Sequence, residues 1–343
     1  MYTIGGVEMK HPLIIGAGAC KTPASVLPYM RKDLPIGGAS TGSYTPDPST
    51  GNQGKLFWPE DFSGFMQNGL GLNSLGMPNM GCNQAATELT RYAFVHPIIA
   101  SVAATFVEGF ITGIQAFHGV PCVSAIKLNV GCPNKAERPV PIAYDLDFLF
   151  RIFEAVQELV KRGLVTKPIW LKLSPYITLW QRNVLQTLHP RLDFSNTPVV
   201  EPGFLAEVLG LVSQYPFIRA AIFSNTLPNV ICRDEFKNPV TTPNGGKAGL
   251  SGSILKQIAI DLIRQAETLL PEGVDRIGSG GVLHGDDVVD ILEAGGKAAC
   301  VTSGPFWYGD GARFCANLLS ESVRFQNYLT QYTQLQEETV SWQ

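Results

Sequence analysis

Charge is thin in this chain and nowhere concentrated. Lys and Arg number 26 and Asp and Glu 29, so only 16% of the 343 residues are charged, against roughly 25% in soluble domains. Much of the sequence is therefore destined for an interior or a subunit interface. With a net charge of −3, a pI near 6.0 and no run of five or more Lys or Arg, it lacks the basic stripe that neutralises nucleic-acid phosphates. No apolar run reaches the ~18 residues needed to span a bilayer. Met1 to Lys10 has neither the basic and apolar regions of a signal peptide nor an Arg-rich transit pattern, so a cytoplasmic location is expected. The seven cysteines (Cys20, Cys82, Cys122, Cys132, Cys232, Cys300, Cys315) are odd in number and contain no Cys-x-x-Cys pair. That argues against a disulfide framework and a bound metal.

Apolar residues (45%), glycine (35) and proline (24) are plentiful, and their arrangement is regular. Eight short apolar runs alternate with helical patterns: Pro12–Gly18, Pro35–Thr41, Ile98–Ala104, Ser124–Val130, Ile169–Ser174, Ala220–Asn225, Asp275–Gly280 and Ala298–Ser303. Between them, Asp145–Arg162, Pro202–Gln214, Gly252–Thr268, Gly285–Ala294 and Gly309–Phe325 carry apolar residues at helical spacing. Eight continuous apolar strands, each buried on both faces and followed by a helix, predict the α/β class. The architecture is a (β/α)8 TIM barrel, one domain over residues 1–343. Two connections exceed what a simple barrel needs. The first, residues 42–97 after strand two, carries Tyr44, Phe57, Trp58, Phe62 and Phe65. The second, residues 227–247, follows strand six. The first leaves the end of a barrel where active sites form, and is expected to be an active-site loop.

Chemistry-bearing residues gather at the same strand ends. Strand four runs into Asn129-Val130-Gly131-Cys132-Pro133-Asn134. A cysteine there, between two amides, can exchange a proton once neighbours stabilise its thiolate, although position alone is equally consistent with a small buried hydrophobe. In Leu171-Lys172-Leu173, Lys172 alternates with leucines and so faces the barrel interior. Either a bound anion or a buried carboxylate can satisfy it. The glycines of Gly278-Ser279-Gly280-Gly281 and Thr302-Ser303-Gly304, with Gly249–Gly252 ahead of a helix, let backbone N–H groups approach a phosphate after strands seven and eight. A phosphorylated substrate and flavin mononucleotide (FMN) would use such a site alike. Asn73, Asn129, Asn134 and Asn225 offer neutral donors and acceptors suited to a planar imide.

In these blocks the chain resembles the dihydroorotate dehydrogenase family, in particular its soluble class with a cysteine base. The matching segments run almost end to end: GAGA (Gly16–Ala19), NSLGMPN (Asn73–Asn79), NVGCPN (Asn129–Asn134), LKLSPY (Leu171–Tyr176), SNT (Ser224–Thr226), GGKAGLSG (Gly245–Gly252), GSGG (Gly278–Gly281) and TSG (Thr302–Gly304). The resemblance implies FMN held by Ala17, Gly18, Ser43, Asn129, Lys172, Ser224, Gly252, Gly280, Gly281, Thr302 and Ser303. It implies a dihydropyrimidine gripped by Asn73, Leu75, Gly76, Met77, Asn129, Asn134, Asn225 and Thr226. Cys132 would remove the C5 proton of dihydroorotate while hydride leaves C6 for flavin N5, giving orotate, with fumarate or another acceptor reoxidising the flavin. The self-sufficient class that uses fumarate is similar in length and implies a homodimer. The NAD-linked class works with a partner subunit carrying FAD and an iron–sulfur cluster, which one sequence leaves open.

One departure limits the carry-over. Where the family pattern has a lysine contacting flavin and the orotate carboxylate, Ser40-Thr41-Gly42-Ser43-Tyr44 has Gly42. Losing a charge partner at ~4 Å removes about 4 kcal/mol of gross attraction at an effective dielectric near 20. Lys55, in the same insertion, is the nearest replacement by sequence. Otherwise the substrate is another dihydropyrimidine or activated alkene without that charge. Gly131 also stands where a serine is expected before the cysteine. From a different class, a phosphate-binding lyase or isomerase without flavin would share the barrel and glycine sites.

Overall fold

Eight parallel strands close into a barrel in the computed structural model, which describes residues 1–132 and 140–340. They are β1 (Leu13–Ile15), β2 (Gly38–Tyr44), β3 (Ile98–Val102), β4 (Val123–Asn129), β5 (Ile169–Lys172), β6 (Ile218–Phe223), β7 (Asp275–Ser279) and β8 (Ala298–Val301). Each pairs with its sequence neighbours and β8 returns to β1, so all eight predicted runs form the (β/α)8 barrel. Their outward faces pack beneath amphipathic helices. In Leu146–Lys161, Leu149, Ile152, Phe153, Val156 and Leu159 are buried at helical spacing, and Asp145 Oδ1 caps the start by accepting from Phe148 N–H (3.0 Å). Phe204–Val212, Ile254–Ala266 and Gly285–Glu293 fall within their predicted stretches. The last stretch divides into Gly311–Ser320 and Val323–Val340. Ser322 Oγ takes the Phe325 N–H (3.0 Å) and starts a fresh helix there.

Inside the barrel, polarity changes along the axis. At the lower end a hairpin, Tyr2–Ile4 paired with Val7–Met9, inserts Tyr2, Ile4, Val7 and Met9 among Ile14, Ile99, Ala125, Trp170, Ala220, Ile222 and Ile277. Trp170 Nε1 donates to Gly5 O (2.9 Å) in the hairpin turn. This plug was not expected, although Gly5-Gly6 between alternating residues is a two-residue hairpin signal. Toward the C-terminal mouth the inward positions become Ser40, Ser101, Lys127, Lys172 and Ser279.

The two insertions are not simple loops. In the first, Leu70–Asn73 pairs antiparallel with Phe57–Trp58 on one side and with Ala248–Gly252 on the other, and Ala248–Gly252 pairs with Leu227–Cys232 and through it with Leu192–Asp193. The resulting five-stranded sheet brings Asn73, Thr226 and Ser251 to the barrel mouth. Aromatics hold it down: Phe65 stacks on Trp307 (5.5 Å between centroids), and Phe57 meets Phe306 and Trp307 edge-on. No helix among the described residues is long and apolar enough to cross a membrane.

Candidate active site

A cavity opens between the C-terminal ends of the strands and this sheet. β4 and β5 pair so that Asn129 lies directly beside Lys172, and both side chains line the cavity with Cys132. Gly131 sets the approach of that cysteine. A Cβ there would lie 2.6 Å from the Leu173 carbonyl oxygen, so a side chain would push the end of β4 away from the end of β5.

The amides are wired together. Thr226 N–H donates to Asn225 Oδ1 (2.9 Å), Asn225 Nδ2 donates to Asn129 Oδ1 (3.0 Å), and Asn129 Nδ2 donates to Ser43 Oγ (2.9 Å), which shares a hydrogen bond with Ser101 Oγ (2.7 Å). The relay links the ends of β6, β4, β2 and β3. It fixes which end of each amide is donor and acceptor, and leaves one N–H on each for a ligand. Asn73 lines the same cavity.

Across from the amides, Gly280, Gly281, Thr302 and Ser303 line the wall. Gly280 (φ +134) and Gly281 (φ +68) occupy left-handed conformations, and a Cβ on Gly281 would sit 2.8 Å from Lys256 N. Backbone therefore lies bare against the start of helix Ile254–Ala266, an arrangement suited to an anion. Among the described residues, Thr302 Oγ1 is buried without a hydrogen-bond partner. It is packed so closely that a Cβ on Gly16 would fall 2.0 Å from it.

Among the described residues, three lysines reach this cavity, Lys21, Lys127 and Lys172, and no Asp or Glu lines it. Lys127 is 1% exposed and donates to Ser40 Oγ (2.6 Å). Burial first, and then repulsion from Lys172, pushes its ammonium down to about 7. Burial also holds Lys172 and Lys21 below the usual lysine range, opposed at both by the nearby Cys132 thiol, which favours an ammonium when ionised. Lys127 and Lys21 went unnoticed in the sequence. The alternation Ile126-Lys127-Leu128 is the same signal that singled out Lys172. Lys21 lies in an aperiodic loop and carried none.

Of the residues named from sequence, Ala17, Gly18, Ser43, Asn73, Leu75, Met77, Asn129, Cys132, Lys172, Asn225, Thr226, Gly280, Gly281, Thr302 and Ser303 share this cavity. Three lie off its wall. Ser224 is buried, its N–H and Oγ both donating to Ser279 O (2.7 and 3.2 Å) and so tying β6 to β7. Gly252 is a crossing point, where a Cβ would meet Gly69 O at 2.2 Å. Gly76 turns the insertion against Asn52. Asn134 lies outside the described residues. Lys55 faces out and pairs with Glu60 (3.1 Å), both largely exposed, so it is not the cation of this cavity. Gly42 takes φ +99, and a Cβ would fall 2.9 Å from Ser101 O, so β2 has no room for a lysine at 42.

A parallel barrel whose mouth combines a glycine anion cradle, a thiol, inward lysines and a hydrogen-bonded set of amides defines a cofactor-using barrel enzyme. The statistical profile of one family, dihydroorotate dehydrogenase, matches residues 1–195 and 214–322. The chain belongs to the dihydroorotate dehydrogenase family, dehydrogenases acting on CH–CH bonds. It is 29% identical over 324 residues to the "Dihydroorotate dehydrogenase B (NAD(+)), catalytic subunit" of Methanopyrus kandleri, covering 92% of this chain and 89% of that protein. It is 27% identical over 308 residues to the protein of that name from Enterococcus faecalis OG1RF, covering 89% and 85%. A solved structure of DHODH from Eimeria tenella in complex with ferulenol superposes with a TM-score of 0.68 over 93% of this chain and 83% of that one, at 16% identity. That likeness speaks for the fold alone.

Proposed function

We propose that this chain binds FMN in the cavity and oxidises dihydroorotate to orotate, with Cys132 as the base. The observation carrying the reading is the shared wall: Cys132, Lys172, the Asn129–Asn225 pair and the Gly280–Gly281 cradle all face one space. The residues fit the cofactor. The bare backbone of Gly280 and Gly281 and the partnerless Thr302 Oγ1 suit its phosphate, and Lys172 suits the electron-rich edge of its ring system. FMN, when bound, supplies the acceptor for the hydride equivalent.

The protein's own contribution is orientation and proton transfer. The amide relay presents fixed donors and acceptors to the imide edge of a pyrimidine. That aligns the carbon next to its carbonyl for proton removal by Cys132. Lys21 and Lys172 favour the thiolate that must act as base. Leu75, Met77, Phe306 and Trp307 close the space with apolar surface and keep water from the reacting carbon. Because the relatives above are named as NAD(+)-linked catalytic subunits, we take the final acceptor to be NAD+ reached through a partner subunit, and not fumarate acting directly.

Purified protein should be yellow and release FMN on denaturation. Under anaerobic conditions dihydroorotate should bleach the flavin, and fumarate alone should fail to restore it. Cys132→Ala should keep its flavin while bleaching slows ~100- to 10,000-fold, the range of general-base catalysis. A colourless protein that takes up no added flavin would instead support the lyase or isomerase reading. Bleaching by dihydrouracil but not dihydroorotate would move the substrate to a neutral dihydropyrimidine.

A further inference from the structure

We propose that Lys127 is the proton-exchanging group of this cavity, taking up one proton when a bound flavin is reduced; the inference rests on the FMN reading above. Alternate residues of β4 face the barrel interior. Ala125 packs into the apolar plug at the lower end, Asn129 lines the mouth, and Lys127 stands on the layer between them. In the strand register it lies beside Ser101 of β3 and Trp170 of β5, and Trp170 belongs to the same plug. Its ammonium is therefore held where the packed hydrocarbon interior ends and the space lined by Lys172 and Asn129 begins.

The surroundings allow this lysine two protonation states. Among the described residues, buried Ser40 Oγ is its hydrogen-bond partner (2.6 Å). A hydroxyl accepts from an ammonium and donates to an amine, so the contact survives loss of the proton. The titratable groups that face Lys127 are Lys172 from β5, Cys300 from β8, and Cys20 and Lys21 from the loop after β1. The two lysines repel an ammonium, and among the described residues no carboxylate of the lining offsets them. Burial, and then Lys172, push the Lys127 ammonium down to about 7. Lys172 is opposed by no comparable like charge, and the Cys300 and Cys132 thiols both favour its ammonium, so of the two Lys127 is the one that gives way. What the lining lacks is a negative charge, and reduction brings one. The hydride from C6 of dihydroorotate carries two electrons and one hydrogen to the ring, which gains one negative charge, while the C5 proton passes to the Cys132 thiolate. A proton from solvent then converts the Lys127 amine to an ammonium, so the summed charge of ring and lysine is unchanged.

Reduction potentials of the flavin-loaded protein, measured by equilibration with redox dyes, count these protons without any substrate. In a two-electron couple each proton taken up lowers the potential by about 30 mV per pH unit. Between pH 7.5 and 9 the wild type should fall by about 59 mV per pH unit, for two protons, and Lys127→Met by about 30 mV, for one. At pH 7.5 Lys127→Met should lie at least 30 mV below the wild type, a tenfold change in the reduction equilibrium. Lys127→Arg, whose guanidinium stays charged, should remain within 30 mV of the wild type at that pH and yet show the one-proton slope; it carries the comparison if Lys127→Met fails to hold flavin. A wild-type slope of about 30 mV per pH unit, or a steeper one that both substitutions leave unchanged, would overturn the assignment and leave the cofactor reading standing. A wild type that takes up no flavin would remove both together.

Discussion

At Lys127 a single side chain links the barrel's interior to its behaviour in solution. Its folded ammonium is held near 7 against an ordinary 10.5, mainly by burial, with Lys172, Cys300, Cys20 and Lys21 as its charged or titratable neighbours. Below about pH 7 both the folded and unfolded chain carry the proton. As pH rises from there, the unfolded chain keeps a proton that the folded one has released, so stability rises. Lys21 and Lys172 are shifted in the same direction and add to the slope. Above about pH 8.5, where unfolded thiols ionise, the buried Cys20 and Cys315, held protonated by burial, act the other way. Urea unfolding of the ligand-free protein should therefore show stability rising from about pH 7 to about pH 8.5, and Lys127→Met should flatten much of that rise. A slope unchanged by the substitution would assign it to other groups. Cys132, Lys172 and the asparagines were legible because a strand end and a two-residue alternation announce where a side chain points. Lys127 was legible by the same rule. Lys21 was not, because only the folded loop, pinned through Cys20 to Gly42, brings it to the cavity.

Among elements, the barrel strands were readable and the covering sheet was not, for a physical reason. Most barrel strands carry short apolar runs that are buried on both faces, as in Leu13–Ile15, Ile98–Val102 and Ala298–Val301, and the intervening helices have a different period. The covering strands are short and glycine-rich: Ala248–Gly252 reads AGLSG and Phe57–Trp58 is two residues long. Such segments have little strand propensity of their own and form because partners from a distant insertion pair with them. Gly71 shows what that pairing requires. A Cβ there would lie 2.7 Å from Trp307 Nε1 and 3.1 Å from Phe65 Cδ2, so the indole that lines the cavity rests on bare backbone. Gly71→Ala should cost about 1–3 kcal/mol, the usual penalty for overpacking. Because the two sites touch, Gly71→Ala combined with Trp307→Ala should cost less than the two separate losses added together. Thermal denaturation of the four proteins in that cycle reads the coupling, and strict additivity would show that Trp307 does not rest on Gly71.

Over the whole molecule the charge is slightly negative, −3, yet the cavity at the barrel mouth gathers three lysines and, among the described residues, no acid. That distribution stabilises the empty fold poorly and the anion-filled fold well, since each buried ammonium is costly alone and compensated by a bound negative group. The low overall charge noted in the sequence is thus not spread evenly: it conceals a local excess of one sign at the end of the barrel. Binding restricted to the folded state raises stability by RT ln(1 + [L]/Kd), about 2.7 kcal/mol at a hundredfold excess over Kd. With unfolding entropy near 2.1 cal/mol/K per residue, a chain of this length should gain about 4 °C in Tm. Riboflavin carries the same ring as FMN without its phosphate, so on the proposed binding it leaves the Gly280–Gly281 and Thr302 cradle unfilled. Flavin-stripped protein should therefore gain much less from riboflavin than from FMN at equal concentration, and Thr302→Val should narrow the difference. Equal gains from both would place the binding energy in the ring alone and take the phosphate away from the cradle.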